Sequence, residues 1–287
     1  ELESKPAEVN APLMPSSSLR ACMSSATAFR VSKLSISSME VALAPSRAKY
    51  LVEDVKHLTD LMQRRYPDLP YFLLGHSMGS LIARLYLLDY GEKLSGCILI
   101  GTVGPIAAAG SIVHLADSVA RSRGITYRSG LLSNLVFKGF NRKIKQPKTV
   151  FDWLSRDEAV VSLYQSDEKC NFVFTANRIP RPVYAHHQGE QSGDLPKNTE
   201  DLPLLFISGD KDPVGRYGEG VRRTVNLYRG NGVKNIEVIF YKDARHEVLN
   251  ELDRLETFGD ISRWLEIHLA ARAARQAVEQ EPETAAE

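Results

Sequence analysis

Gly75-His76-Ser77-Met78-Gly79 places a serine between two glycines, a pattern that can hold a nucleophile in a sharp turn. The apolar stretch at 71–74 before it predicts a strand, and the apolar spacing over 80–90 predicts a helix. Strand, turn and helix is the setting in which this pattern forms a nucleophile elbow. We therefore expect Ser77 to lie above the end of a strand, with glycine required at both ends because the turn is tight. The alternative is a buried serine that serves only the turn.

The predicted helix begins directly after Ser77, so its N-terminus lies behind the hydroxyl. That end carries the positive pole of the helix dipole. We expect the backbone N–H of Met78 to donate to the oxyanion that forms when the serine attacks a carbonyl.

A serine hydroxyl also needs a base, and His246 is the best placed of the seven histidines. It directly follows the predicted strand at 236–241 and precedes a predicted helix, which puts it at the carboxyl edge of the sheet. We expect His76, the variable residue of the elbow, to point away from the hydroxyl. The others fall on predicted helices or in a long connection between strands: His57, His268, His114, His186 and His187.

The base in turn needs a carboxylate that fixes its tautomer and stabilises its charged form. The loop after the predicted strand at 204–207 offers Asp210 and Asp212. Asp212 lies deeper in the loop and precedes Pro213, so we expect it to be the acid. Asp210 is the alternative, and otherwise serves a turn or a helix cap; we interpret Asp243 as a turn residue.

The elements that must position these residues form an α/β pattern. Continuous apolar strands that alternate with helices predict a mainly parallel sheet covered on both faces. Strands are predicted at 71–74, 96–100, 204–207 and 236–241, and helices at 46–65, 80–90, 216–229 and 247–273. We expect Gly91 to end the helix that follows the elbow.

The predicted core comprises 46–104 and 201–273, and strand signals stop between them. Residues 105–200 instead predict helices at 105–120 and 129–145, as in a cap inserted over the carboxyl edge, where open α/β sheets bind ligands. Residues 274–287 predict a frayed tail. Residues 1–45 are atypical, with weak strand signals at 29–36 and 39–44.

Composition bounds the cellular setting and the partners. The net charge of +1 predicts no nucleic-acid partner, and no apolar run reaches the length of a membrane span. Residues 9–39 lack acidic side chains, as organellar transit peptides do, but the acidic start favours a poorly ordered leader or a sequence unrelated to the fold. Three cysteines, Cys22, Cys97 and Cys170, are too few and too scattered for a disulfide framework or a zinc site. We expect Cys97 to pack in the core and the protein to be cytoplasmic.

The cap carries a basic amphipathic segment. Between Ser118 and Phe151 there are eight basic residues and no acidic one, interleaved with apolar side chains. Such a segment favours peripheral contact with an anionic membrane surface. The alternative is a solvated cap helix whose apolar side covers the site. The basic residues are Arg121, Arg123, Arg128, Lys138, Arg142, Lys143, Lys145 and Lys148.

Three segments resemble the bacterial lysophospholipase and monoacylglycerol lipase group of α/β hydrolases, also labelled serine aminopeptidase-like. They are the stretches 66–79, 206–215 and 244–251, and the likeness covers roughly 46–175 and 200–270. The resemblance implies Ser77 as nucleophile, Asp212 as acid and His246 as base. It implies hydrolysis of a carboxylic ester, for example a monoacyl lipid, through an acyl-enzyme without metal or organic cofactor.

The chain departs from this group before residue 46. The group carries about four strands there, with a His-Gly turn that donates the second oxyanion N–H, and this chain has no His-Gly pair. The stretch 178–197 is also unlike the group. We expect an exposed apolar edge on the strand at 71–74 and an incomplete oxyanion hole. A hydrolase-like binding module with impaired chemistry, or a peptidase or acyltransferase with the same three residues, remains an alternative.

Overall fold

The computed structural model describes residues 47–105, 109–124, 126–130, 132, 137, 139–170, 173 and 199–280. The atypical segment 1–45 with its two weak strands, the whole stretch 178–197 and the end of the predicted tail lie outside these residues. No helix within the described ranges combines the length and the apolarity that a membrane span needs.

Four parallel strands form the sheet, in the order β1-β2-β3-β4. The register pairs His76 with Ile100, Ile100 with Ile207, and Gly209 with Tyr241, so the carboxyl ends meet at one edge. The prediction of a parallel α/β sheet is confirmed, with each strand boundary within two residues. The strands are β1 (Phe72–His76), β2 (Gly96–Ile100), β3 (Leu204–Gly209) and β4 (Ile236–Tyr241).

Strand β1 forms one edge of this sheet. Within the described part of the chain it pairs with β2 alone. Its Leu74 is 39% exposed, which is unusual for an apolar side chain in a parallel sheet.

Within the described ranges, six helices accompany the strands: α1 (Arg47–Arg65), α2 (Met78–Tyr90), α3 (Ala109–Arg123), α4 (Glu158–Ser166), α5 (Glu219–Gly230) and α6 (Arg254–Gln280). Helix α2 ends at the predicted place, but Gly91 has right-handed helical dihedrals and opens a 3₁₀ turn over Gly91–Lys93. The last helix starts later than predicted, because the chain from 244 to 251 is hydrogen-bonded to the segment 153–156 and forms a loop with a 3₁₀ turn, Val248–Asn250.

The core lies on both faces of the sheet because alternate side chains of a strand point in opposite directions. Cys97, Leu99 and Phe206 join the cluster on one face, and Cys97 is fully buried there, which raises the pKa of its thiol. Ile98, Ile100, Leu205 and Ile207 join the other cluster with Trp264 of α6.

The stretch 105–200 contributes α3, α4 and a 3₁₀ turn, Phe140–Lys143, and its described residues add no strand to the sheet. The predicted helix at 129–145 is interrupted at Gly139, which has a left-handed φ of 93°. Several of its other residues lie outside the described ranges. That this stretch is a cap with these limits stays a prediction.

Candidate active site

Ser77 lies between β1 and α2 with a backbone conformation that is rare for a side-chain-bearing residue. Its φ is 54° and its ψ is −119°, and such conformations cost about 1–3 kcal/mol each. Three hydrogen bonds hold its backbone. The Ser77 N–H donates to the Ile100 carbonyl at 2.9 Å, and the Ser77 carbonyl accepts from the hydroxyl and the N–H of Ser80, at 2.6 and 3.0 Å. The Ser77 side chain does not cap the helix, so its hydroxyl is available for other partners.

The two elbow glycines differ in what they allow. A Cβ at Gly75 would lie 2.4 Å from the carbonyl oxygen of Gly79, so the turn excludes any side chain there. A Cβ at Gly79 would meet no described atom within 4 Å. The prediction that tightness requires glycine at both ends is therefore wrong for Gly79, because it is the backbone of Gly79 that crowds position 75.

His246 lies in the loop after β4, where its ring joins two distant residues. Its Nε2 lies 2.9 Å from Ser77 Oγ, and its Nδ1 lies 3.0 Å from Asp212 Oδ2. The ring is packed closely against Gly101 at the end of β2, which has a left-handed φ of 56°. A Cβ on Gly101 would lie 2.9 Å from His246 Cε1, so glycine leaves the space that the imidazole fills.

Asp212, and not Asp210, is the carboxylate beside this ring. Asp212 is fully buried; its Oδ1 accepts from the Val214 N–H at 2.8 Å, and its Oδ2 faces the imidazole. Asp210 points to the surface, where its Oδ1 accepts from the N–H of Asp243 at 2.8 Å. Asp243 has a φ of 59° in this turn.

The electrostatics of His246 follow from two opposing causes. Burial lowers the pKa of the imidazole, but the charge of Asp212 and its hydrogen bond raise the pKa by more, so it lies above its usual value. With the carboxylate ionised, Nδ1 carries the proton and donates to Asp212. The Nε2 lone pair then accepts from the Ser77 hydroxyl.

The loop that carries His246 is held by the segment 153–156. The N–H groups of His246 and Glu247 donate to the carbonyls of Trp153 and Leu154, at 3.4 and 2.7 Å. The Trp153 ring also packs on the imidazole, with 5.2 Å between centroids.

Glu251 links the same two segments through its buried carboxylate. It is 1% exposed and accepts from the Arg245 N–H at 2.8 Å, from the Arg156 N–H at 3.1 Å and from Arg156 Nε at 3.0 Å. No local sequence pattern indicates this role, because its partner Arg156 lies 95 residues away in the chain.

His76 makes no hydrogen bond to the Ser77 hydroxyl, but its ring is adjacent to the site. Its Nε2 lies 3.3 Å from the His246 carbonyl oxygen, and the two imidazoles are 4.9 Å apart. Burial lowers the pKa of His76 and favours its neutral form. Of the other histidines, His57 and His114 are exposed, and His268 packs on Trp264. His186 and His187 lie outside the described residues.

Met78 is the first residue of α2, where backbone N–H groups have no intrahelical partner. That this N–H donates to an oxyanion stays a prediction. The expected gap in the oxyanion hole concerns the segment before residue 46, which lies outside the described residues.

Taken together, the parallel sheet, the covering helices and the serine elbow at the carboxyl edge define an α/β hydrolase. The sequence matches the family model described as serine aminopeptidase, S33, over residues 37–253. The chain therefore belongs to the serine aminopeptidase S33 family.

Known relatives agree with this assignment. The chain is 27% identical over 223 residues to a monoacylglycerol lipase of Mycolicibacterium smegmatis, covering 76% of this chain and 70% of that one. It is 27% identical over 224 residues to the monoglyceride lipase of Homo sapiens, covering 75% of this chain and 64% of the human one. The match thus spans less than two thirds of the human protein.

Solved structures with a similar fold include esterases and lipases. A thermostable carboxyl esterase from Bacillus coagulans, solved with glycerol, is 31% identical with a TM-score of 0.66, covering 77% of this chain and 70% of its own. A lipase in an open form is 25% identical with a TM-score of 0.68, covering 77% and 72%. The predicted fold and family group are confirmed, and carboxylic ester hydrolase, the predicted enzyme class, is the class of these relatives.

Proposed function

We propose that this protein is a serine esterase that hydrolyses carboxylic esters of monoacyl lipids through an acyl-enzyme at Ser77. One observation carries the proposal. A continuous hydrogen-bonded row runs from Ser77 Oγ through the imidazole of His246 to the buried carboxylate of Asp212, with distances of 2.9 and 3.0 Å. Nucleophile, base and orienting acid in this arrangement define an acyl-transfer site.

In the first half of the reaction, His246 Nε2 takes the Ser77 proton as the hydroxyl oxygen attacks the ester carbonyl. The imidazolium that forms is stabilised by the charge of Asp212, and the Met78 N–H donates to the oxyanion. Collapse of the tetrahedral intermediate breaks the bond to the alcohol oxygen. His246 then gives its proton to the departing alcohol, which leaves an acyl group on Ser77.

In the second half, a water molecule replaces the alcohol. His246 takes a proton from the water, whose oxygen attacks the acyl carbonyl, and the proton then passes to Ser77 Oγ as the carboxylic acid leaves. Neither half uses a redox step, so the proposal needs no organic cofactor.

Aromatic rings beside the base support an apolar acyl group. Trp153 lies against His246, and Phe140 and Phe137 pack on Trp153 with ring centroids 4.9 and 5.9 Å away. Phe137 is 38% exposed whereas Trp153 is 7% exposed, so these three aromatic rings extend from the protein surface to the imidazole of His246. Such a surface binds hydrocarbon and excludes water. The names of the lipase relatives point to the same substrate class.

A cavity of about 300 Å³ lies next to these aromatic rings and is lined mainly by basic residues, which supports contact with anionic lipid. Lys143 and Lys145 line it, and neither has a carboxylate within ion-pair distance among the described residues. Arg245 also lines it, with Nη1 donating to the carbonyls of Asp152 and Ser155, and Asp243 contributes a carboxylate to the lining. We expect hydrolysis of a monoacylglycerol to be faster on vesicles that contain anionic lipid, and the gain to disappear at high salt. Equal rates on neutral and anionic vesicles would exclude the membrane contact without affecting ester hydrolysis.

The direct test is a chain-length series of p-nitrophenyl esters on the wild type, on Ser77→Ala and on the control Ser122→Ala, whose hydroxyl is exposed on α3. We expect Ser77→Ala to lower kcat by about 10⁶, to the limit of detection, and the control to match the wild type. A fluorophosphonate probe should label the wild type and the control but not Ser77→Ala. Full esterase activity in Ser77→Ala would refute the proposal.

The same assay separates the alternatives. An aminoacyl amide cleaved faster than the matched ester would indicate a peptidase. Transfer of the acyl group to an added alcohol in preference to water would indicate an acyltransferase. Folded wild-type protein with no turnover and no probe labelling would favour a binding module.

A further inference from the structure

Beside the triad, two imidazoles and a carboxylate face one another. His76, His246 and Glu247 each present a ligand atom, and these atoms all lie within 4.8 Å of one another. The shortest recorded separation is 3.9 Å, between His76 Nε2 and Glu247 Oε1. The His76 and Glu247 side chains are only 8% and 16% exposed, so the three groups share a largely desolvated space.

Two histidines and one carboxylate are a ligand set that suits Zn²⁺ and its neighbours among the transition metals. The orientation of His246 also fits, because metal-bound imidazoles usually donate their other N–H to a carboxylate. Here Nδ1 is 3.0 Å from Asp212, which leaves the lone pair on Nε2. On the third ligand, Asn250 Nδ2 donates to Glu247 Oε2 at 2.9 Å and leaves Oε1 on the side of His76.

Binding of a metal ion requires only small movements of the three ligand side chains. Ligand atoms of a tetrahedral zinc site are about 3.3 Å apart, so these separations must close by about 0.5 to 1.5 Å. Rotation of the partly exposed Glu247 side chain can supply much of this. His76 must carry its proton on Nδ1 and give up its contact with the His246 carbonyl.

We propose that His76, His246 and Glu247 bind Zn²⁺ or a similar transition-metal ion, and that this ion inhibits the enzyme reversibly. The metal takes the Nε2 lone pair of His246, so Ser77 loses the base that would accept its proton. The inhibitory effect rests on the proposed esterase function, whereas the binding of metal does not. The bound ion inhibits ester hydrolysis and is not required for it.

The test compares Zn²⁺ inhibition of p-nitrophenyl butyrate hydrolysis in the wild type, Glu247→Gln and His76→Gln, each relative to its own metal-free rate. We expect micromolar Zn²⁺ to inhibit the wild type and EDTA to restore it. Each variant should need at least about tenfold more Zn²⁺. Mg²⁺ should have no effect because it prefers oxygen ligands.

Two controls address zinc bound elsewhere. His57→Gln removes an exposed imidazole of α1, and Cys170→Ser removes a partly exposed thiol. Both should keep the wild-type sensitivity. Three results would overturn the assignment. They are loss of inhibition in either control, inhibition that is unchanged in Glu247→Gln, and no inhibition of the wild type at about 1 mM Zn²⁺.

Calorimetry separates a failure of this proposal from a failure of the esterase proposal. If the wild type hydrolyses no ester but binds one Zn²⁺ that Glu247→Gln does not bind, the metal site stands and the esterase function fails. If the wild type is active and binds no Zn²⁺, the metal site fails alone. Because Glu247 is partly exposed, its variant keeps the test valid should His76→Gln not fold.

Discussion

The elbow that carries Ser77 and the loop that carries His246 meet at one sheet edge but are held in different ways. The elbow is set by its own neighbours in sequence and by a hydrogen bond to the adjacent strand β2. The loop takes its support from Trp153, Leu154 and Arg156, far away in the chain. Local sequence can therefore specify a nucleophile, whereas the base depends on an assembled tertiary structure.

Of the three changes that test this comparison, we expect the largest effect from the one that separates His246 from its acid, Asp212. We expect Asp212→Asn to lower kcat by about 10⁴, because the amide no longer stabilises the imidazolium or fixes its tautomer. Asp210→Asn is the matched control, since Asn keeps the oxygen that accepts from Asp243, and it should retain the wild-type kcat. The measurement is steady-state ester hydrolysis by both proteins; an equal loss in the two would place the acid elsewhere.

A smaller effect tests the long-range support of the loop. Glu251→Ala leaves the buried N–H groups of Arg245 and Arg156 without an acceptor, so we expect the free energy of unfolding to fall by about 3 kcal/mol. The control is Asp253→Ala, which removes a largely exposed partner of Arg156 and should cost under about 1 kcal/mol. Denaturant unfolding measures both. Similar small losses would show that the carboxylate of Glu251 does not hold the loop.

The smallest expected effects concern the two glycines of the elbow. Gly75→Ala forces a Cβ against the Gly79 carbonyl, and we expect a loss of about 2 kcal/mol of stability together with lower activity. Gly79→Ala meets open space and should be neutral or stabilising by up to about 1 kcal/mol. Thermal unfolding and ester hydrolysis are measured for both variants and compared with the wild type. A Gly79→Ala protein as damaged as Gly75→Ala would restore the symmetric view of the two glycines.

Much of the fold was predictable because its signals are local. The apolar runs of β2 and β4 and the helical spacing in α1 gave boundaries close to those observed. The start of α6 was placed too early, because residues 247–253 have helical composition but are held by contacts with the segment 153–156. No local pattern reports such contacts.

The site was predictable only in its outline. The choice of His246 came from its position after a strand, and the structure brings its ring to both Ser77 and Asp212. The requirement for glycine at 101 was not visible, since it depends on an imidazole that arrives from another part of the chain.

The sequence by itself determined the strands, the helices and the serine turn, because hydrophobic period and glycine placement act over a few residues. The sequence favoured Asp212 over Asp210, and only the tertiary structure brought its carboxylate to the imidazole, placed His76 beside that ring and buried Glu251. The physical reason is that these contacts join groups that lie far apart in the chain and meet only when the strands and their connecting segments pack together. Their distances and burial therefore exist only once the chain has folded.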